Sequence, residues 1–486
     1  MSIIIKQSFK NSIIIYSGFI IGITNTLILY PEILKGKYYG IVVFLLSASN
    51  IIMPLTAVGV HYTIVKFFSS FESKTERDKF MSIMLLLPLL MALLIAYFVT
   101  KFYEQISNYI ANENIILKDY TFVIFIIAIS CTYFEVFYSW AKVQMKSVFG
   151  NFLKEFWNRA VVLTLLLAVG FKFVTKSEFV YFLTGAYLLR FFLMMIYALW
   201  LYSPSFTLKL PENFQSIFKY SLFMLLAGST GAILLDIDKV MIPSKEQIEL
   251  TAYYAVAVFI GTVIEVPGRA MSQILQPITS KTINENNNLK LENLYKKSSV
   301  SLLLIGGFFF LIINCCIHEL FKLMPHKGYA GGELIVLMVS VAKLFTMFLG
   351  NNGTIINNSS FYTIMLPLNL SMALSVYFLN LWLLDTFSVN GLALATLIVI
   401  LIFNSVKLFI VKQKLNITPI TSKTLAIFLL IILLFFLFYF WNFSFHPVLN
   451  VFLKSSLIAV LYIYISIRFN LSKDINIVLL KIKNKI

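Results

Sequence analysis

Nine ionisable side chains of this sequence lie inside long apolar runs: Glu135, Arg190, Asp236, Asp238, Lys239, Glu265, Arg269, Lys343 and Lys454. Charges at such depth are expensive, so they face a cavity or a partner. Arg190, Arg269 and Lys343 fall near the middle of their runs. Cations placed there can hold a phosphate-bearing anion, which costs many kcal/mol if left bare in hydrocarbon. Arginine suits phosphate because its planar fork donates two hydrogen bonds at once. These three are the candidate substrate-binding residues.

A structural reading of the same residues stands beside this one. Glu265 and Arg269 are four apart, so on one helix they share a face and neutralise each other. Glu135 can pair with Arg190 or with Lys343 between helices. Glu135, Glu265, Asp236 and Asp238 are accordingly read as ion-coupling or pairing residues. Asp236 and Asp238 fall close to the outer end of their run and read as interfacial, and Lys454 as snorkelling to the outer headgroups.

Other chemistry finds no support. His61, His318, His326 and His446 are scattered, so no metal cluster is visible. Cys131, Cys315 and Cys316 lie in or beside apolar runs and read as small apolar residues. No Gly-rich phosphate loop and no Ser-His-Asp or Cys-His arrangement occurs. No cofactor, metal or catalytic residue is expected, and the chain does not read as an enzyme.

The elements that must position these charges are membrane spans. Of the 486 residues 59% are hydrophobic and 13% charged, against about 25% charged in an average soluble domain. Apolar runs near the 20 residues needed to cross a bilayer recur from end to end. They place about fourteen transmembrane helices: 11–30, 38–60, 80–101, 120–141, 157–175, 179–201, 217–241, 250–276, 298–317, 332–352, 361–384, 390–410, 422–442 and 447–467. The apolar run at 13–29 leads into Tyr30-Pro31-Glu32 and reads as a retained span, since no small-residue cleavage site follows. Stretches between spans reach about twenty residues, too short for a folded domain of more than about 50.

The net charge of +17 follows from cytoplasmic loops that collect Lys and Arg, and no nucleic-acid motif accompanies it. With the N-terminus inside, 25 of the 39 Lys and Arg fall on the inner side and 10 on the outer. Both termini are therefore expected in the cytoplasm. The inner loop Asn351–Ser360 carries no basic residue. Pro54, Pro267 and Pro367 interrupt backbone hydrogen bonding within spans. Asn25, Asn50, Asn369, Asn380 and Asn404 read as interhelical hydrogen-bonding residues, some of them facing sugar.

A weak repeat runs through the chain. Tyr38-Tyr39-Gly40-Ile41-Val42-Val43-Phe44 matches Tyr253-Tyr254-Ala255-Val256-Ala257-Val258-Phe259, and Tyr16-Ser17-Gly18-Phe19 matches Tyr220-Ser221-Leu222-Phe223. The offset of about six helices gives two parallel halves, a recurring transporter plan. The domains read as residues 1–205, 206–415 and 416–486, the last holding two further helices and a cytoplasmic tail.

These segments resemble a known family. Gly36-Lys37-Tyr38-Tyr39-Gly40, Leu55-Thr56-Ala57-Val58-Gly59-Val60 and Ile64-Val65-Lys66-Phe67 carry the resemblance in the first two spans. Leu235-Asp236-Ile237-Asp238-Lys239-Val240-Met241-Ile242 with Ala252-Tyr253-Tyr254-Ala255-Val256-Ala257 carry it at the seventh and eighth. Asn380-Leu381-Trp382-Leu383-Leu384 and Val389-Asn390-Gly391-Leu392-Ala393-Leu394-Ala395-Thr396 carry it at the eleventh and twelfth. The chain is similar to polysaccharide-unit flippases of the multidrug/oligosaccharidyl-lipid/polysaccharide (MOP) exporter superfamily. The resemblance implies an all-α polytopic membrane protein, with two six-helix lobes around a V-shaped central cavity and two C-terminal helices. The activity it implies is flipping undecaprenyl-pyrophosphate-linked oligosaccharides from the cytoplasmic to the outer leaflet, coupled to an ion gradient. The products would feed O-antigen, capsule or exopolysaccharide assembly in the bacterial cytoplasmic (inner) membrane. The implied partners are the lipid-linked glycan, membrane lipids, a polysaccharide polymerase and a chain-length regulator.

Two rival readings differ in sequence. An ion-coupled multidrug exporter of the same superfamily favours buried acids in the first span, which has none here. A membrane polymerase or ligase favours a large outer loop with reactive residues, and the outer loops here are short.

Overall fold

The computed structural model describes residues 3–110, 113–441 and 443–472. Among them every regular element is a helix. That follows from the composition, because lipid offers backbone groups no partner and a helix satisfies them within itself. Eleven helical stretches are long and apolar enough to cross a membrane, so the chain is a multi-pass, all-helical membrane protein. Two of the eleven, spanning 13–57 and 362–415, contain backbone breaks at Lys35 (φ 59°) and Ser388 (φ 52°). The expected count of fourteen requires dividing both and adding a further helical run, residues 147–170. The basic tail counted as inner charge, residues 473–486, lies outside the described residues.

The chain forms two compact units, Met1–Ala252 and Tyr253–Ile486. In the first unit, α1 is Ile3–Thr24, continued by a π-helical stretch Asn25–Leu34 into α2, Lys35–Ala57. A short α3, Val60–Phe67, precedes α4, Lys74–Lys101, and α5, Tyr103–Ile110. Then come α6, Thr121–Val143; α7, Ser147–Asn151; a second π-helical stretch, Phe152–Trp157; and α8, Asn158–Gly170. The unit is completed by α9, Lys176–Leu201, α10, Phe214–Met241, and the start of α11, Ile248–Thr262. Helix α6 is its hub, packing on α2, α3 and α9, while α10 packs on α2 and α3. Trp140, Phe134 and Phe80 are fully buried there. Helix starts follow readable signals: the Ser73 side chain caps α4 by accepting the Glu76 N–H, and Thr175 with Glu178 forms a capping box on α9.

The loop after α9 is tied down rather than loose. Tyr202 donates from its hydroxyl to Asp78 Oδ1 at 2.5 Å, the Thr207 N–H bonds Ser82 Oγ at 3.1 Å, and the Glu212 N–H bonds Glu76 Oε2 at 3.0 Å. Burial, and then the bond to Asp78, push the Tyr202 phenol above its usual range.

In the second unit, the 3-10 turn Val263–Glu265 leads into α12, Val266–Asn284, followed by α13, Asn288–Lys322, and α14, Glu333–Phe348. Then come α15, Asn352–Asn358; α16, Met365–Leu415; α17, Ser422–Tyr439; and α18, Pro447–Arg468. Helix α13 is the hub and packs on α12, α14, α17 and α18. Two bonds fix α18 to it: Tyr462 donates to the Leu304 carbonyl at 2.8 Å, and Lys454 Nζ to the Cys315 carbonyl at 2.8 Å. Lys454 is only 2% exposed. It therefore does not snorkel as expected, because α13 supplies an acceptor within its reach.

Two of the three expected proline kinks differ from expectation. Pro54 lies within α2, three residues before its last residue, Ala57. Pro267 stands at the start of α12, and Pro367 in the first turn of α16. A proline there costs no helical hydrogen bond, since first-turn N–H groups have no acceptor within the helix.

Candidate functional site

A cavity of about 640 Å³ opens within the first unit. Its wall is built by a break in one helix and by an irregular run in another. Helix α2 ends at Val58, whose φ is 49°, and Gly59, whose φ is 67°. Both are in the left-handed region that favours glycine. Ser221 Oγ on α10 donates to the buried Val58 carbonyl at 2.5 Å. A side chain at Gly59 would collide with the α10 backbone at Ser221 and Leu225. The break therefore allows α10 to close against the end of α2, with His61 and Tyr62 facing the cavity beyond it.

The second wall is the run from α7 to α8. Sequence reading placed the fifth span at 157–175, whereas the helical run begins at Ser147 and ends at Gly170. The Lys142–Arg159 stretch was consequently counted as a cytoplasmic loop. Instead Lys142, Lys154 and Arg159 line the cavity. Lys154 leaves from the π-helical stretch Phe152–Trp157, Lys142 from the end of α6 and Arg159 from the start of α8, and π-helical stretches recur at functional sites. Gly18 and Gly22 of α1 let that helix approach closely, since a Cβ at either would meet Glu155 or Arg159. Asn25 Nδ2 donates to the Arg159 carbonyl at 2.8 Å, fixing the same contact. The helical signal was present, since Phe149, Leu153, Phe156 and Ala160 recur at helical spacing. The charged residues between them read as a loop.

Arg190 also lines this cavity. It is 5% exposed. Its guanidinium lies over the Phe134 ring at 4.2 Å and the Tyr187 ring at 4.7 Å. One terminal nitrogen reaches Cys131 Sγ at 3.3 Å, and its Nε has no hydrogen-bond partner. Glu135 pairs with Lys154 at 2.5 Å, and not with Arg190 or Lys343 as the sequence suggested. Lys154 sits nineteen residues further along the chain, on the run read as a loop. Asp236, read as interfacial from its place near the end of a span, is 8% exposed within the protein, as is Asp238. Asp236 lines the cavity and is held by three neighbours: Ser47 Oγ at 3.0 Å, Asn50 Nδ2 at 3.1 Å and Lys239 Nζ at 2.7 Å.

The remaining candidates belong to the second unit. Glu265 pairs with Lys343 on α14 at 2.6 Å, not with Arg269. The reason is local: Glu265 closes the 3-10 turn that precedes α12, so the helical i,i+4 geometry with Arg269 does not apply. Arg269 is exposed on α12. Of the span asparagines, Asn404 donates to Thr346 Oγ1 at 3.2 Å, an interhelical bond like those of Asn25 and Asn50.

Among the cavity's ionisable side chains, each acid is already paired. Glu135 has Lys154, Glu155 has Arg159 at 3.2 Å, and Asp236 has Lys239. Lys142 and Arg190 have no carboxylate partner among the described residues. Lys142 lies instead over the Tyr138 ring at 3.9 Å. The cavity thus holds two cations beyond those that its acids pair with.

No protein-family model and no curated protein matches the sequence. Solved structures do match, and what they show is the fold, that of polytopic helical membrane proteins. The structure of the lipid II flippase MurJ, in an inward closed conformation, aligns with 94% of this chain and 98% of its own, with a TM-score of 0.72 and 18% identity. An inward-facing multidrug resistance transporter of the MATE family aligns with 82% of this chain and 94% of its own, with a TM-score of 0.64 and 14% identity. An outward-facing MATE structure reaches 0.51 at 14% identity. At such identities the likeness establishes the fold, and the cavity has to argue the rest.

Proposed function

We propose that this chain is a flippase for an anionic lipid-linked glycan, an undecaprenyl-pyrophosphate-linked oligosaccharide. It would move this substrate from the cytoplasmic to the outer leaflet of the bacterial inner membrane by alternating access. The observation that carries this reading is the first-unit cavity with Lys142 and Arg190 left over after every lining acid is paired. A pyrophosphate diester brings about two negative charges, and two uncompensated cations offset the cost of taking it out of water. Arg190 is the primary anion contact. Its rings fix the guanidinium plane, and its unpartnered Nε leaves a buried donor for a ligand to satisfy. Arg269 is the second unit's candidate contact, while Lys343 and Glu265 serve each other as a structural pair. The likeness to a structure titled as a lipid II flippase supports a lipid-linked glycan as the substrate class. O-antigen, capsule or exopolysaccharide assembly is the pathway this reading places it in, with a polymerase and a chain-length regulator as partners. An exporter of cationic drugs is disfavoured because no cavity acid is without a cation.

The test is deletion of the gene in its host, with viability confirmed, followed by analysis of lipid-linked sugars and surface glycan. Loss of surface glycan, with lipid-linked units accumulating on the cytoplasmic leaflet, is the expected result. Complementation with Arg190→Ala should fail, although the protein reaches the membrane at parental level. Normal glycan with raised sensitivity to cationic drugs would overturn the proposal.

A further inference from the structure

A second cavity, of about 280 Å³, lies in the second unit where three segments meet. These are the third and fourth turns of α13, the start of α17 and the residues just after α18. Lys296, Lys297 and Lys423 line it, together with the hydroxyl side chains Ser301, Thr421 and Ser422. It adjoins a third cavity, of about 550 Å³, and the two share Ser422, Lys423 and Leu471. This third cavity is apolar, formed by Ala426, Leu429, Leu430 and Leu433 of α17 and by Ile465 and Phe469.

We propose that these adjoining cavities bind one anionic glycerophospholipid, with its phosphate among the lysines and an acyl chain along the α17–α18 groove. The site is independent of the first-unit cavity, so the proposal does not rest on the flippase reading.

Three observations select this occupant. The first is the juxtaposition of the two chemistries. The groove residues recur at positions 426, 429, 430 and 433, a single stripe on α17. The stripe begins one turn from Lys423, which caps its polar end. Over seven residues it runs about 10 Å along the helix, the direction an acyl chain takes from a headgroup at the interface. By contrast, a cavity of about 530 Å³ on α16, formed by Leu401, Ile402, Ser405, Val406 and Phe409, has no cation in its lining.

The second observation is how the cations are held. Lys423 Nζ donates to the Asn470 carbonyl at 2.8 Å, which pins it across the mouth of the pocket. Lys296 pairs with Glu292 at 2.5 Å, and Lys297 is exposed. One acid against three lysines leaves a net positive pocket. It stands at the N-terminus of the 18-residue α17, whose dipole adds to the attraction for an anion.

The third concerns the rival occupant within this chain. Residues 473–486 follow directly, and they carry Lys473, Lys481, Lys483 and Lys485 against the single acid Asp474. A basic segment does not complement a basic pocket, whereas an anionic lipid does.

The full-length protein, purified in detergent, would be titrated with phosphatidylglycerol and with phosphatidylcholine, and lipid retention followed by native mass spectrometry. Phosphatidylglycerol should be retained at least tenfold better. A Lys296→Gln/Lys297→Gln/Lys423→Gln variant should erase that preference, and so should Ala426→Trp, which fills the groove and leaves the lysines in place. If the triple variant does not fold, Lys297→Gln alone, on an exposed side chain, should lower retention severalfold. Equal retention of the two lipids, or an unchanged preference in Ala426→Trp, overturns the proposal. Full competition by millimolar inorganic phosphate would make this a free-anion site, and tighter retention of a polyprenyl phosphate would make it a polyprenyl site. Either result overturns it as well.

Discussion

At the scale of single residues, the decisive feature is which charge meets which. Sequence spacing offered Glu265 with Arg269 and Glu135 with Arg190, and the fold chose Glu265 with Lys343 and Glu135 with Lys154. Releasing Arg190 and Lys142 from carboxylates makes the first-unit cavity suitable for an anion. The Glu135–Lys154 pair can be weighed directly. Lys154→Ala leaves a carboxylate facing the cavity without its cation. Because the Lys154 side chain is 44% exposed, the cost is set at about 1–3 kcal/mol, below the figure for a fully buried pair. Glu135→Gln combined with Lys154→Gln should cost less than the sum of the single changes by about 1 kcal/mol. Thermal unfolding of the four purified proteins in one detergent measures the coupling, and strict additivity would show that the pair is incidental.

At the scale of elements, helix starts and two of the helix breaks were legible, and the break at Val58 was not. Ser73, Thr175 and Thr421 each precede a helix and cap it, since a side-chain acceptor beside an orphan N–H is a local matter. The breaks at Lys35 and Ser388 fall in the gaps that the sequence leaves between spans, 31–37 and 385–389. The positive φ at Val58 falls inside the span read as 38–60, where the close packing of α10 accounts for it and composition does not announce it. Gly59 is the exception, carrying its own signal. Gly59→Ala should destabilise the protein by about 1–3 kcal/mol through strain at φ 67° together with the clash against α10. The check is its melting temperature beside that of Gly228→Ala, a cavity-lining glycine where an added methyl makes only ordinary contact.

At the scale of the whole molecule, the charge distribution predicts how the chain sits in its membrane. A reporter enzyme that works only in the cytoplasm, fused after Ile486, should be active, and one that works only outside should be silent. The opposite pattern would overturn the cytoplasmic placement of the C-terminus. The loop Asn351–Ser360 adds nothing to that asymmetry. In the fold it contains the short helix α15 and side chains bonded inward, Asn352 to the Tyr295 hydroxyl at 2.6 Å among them, so bonding to neighbouring elements accounts for its polar composition.

The sequence by itself determined that the chain is helical and crosses the membrane many times. Those properties follow from apolar run length and backbone hydrogen bonding, both local quantities. The likeness to MOP transporters was legible from short motifs over the same spans, and the fold agrees with it. What only the tertiary structure decided is the membership of the cavity. Lys142, Lys154 and Arg159 looked like loop charges because a positive-inside count sees position along the chain and is blind to the helix packing that gathers them around one cavity. Lys454 looked like a surface lysine for the same reason, until α13 placed a carbonyl 2.8 Å away. Pairing between residues far apart in sequence depends on which helices pack together, and apolar periodicity alone does not encode that choice.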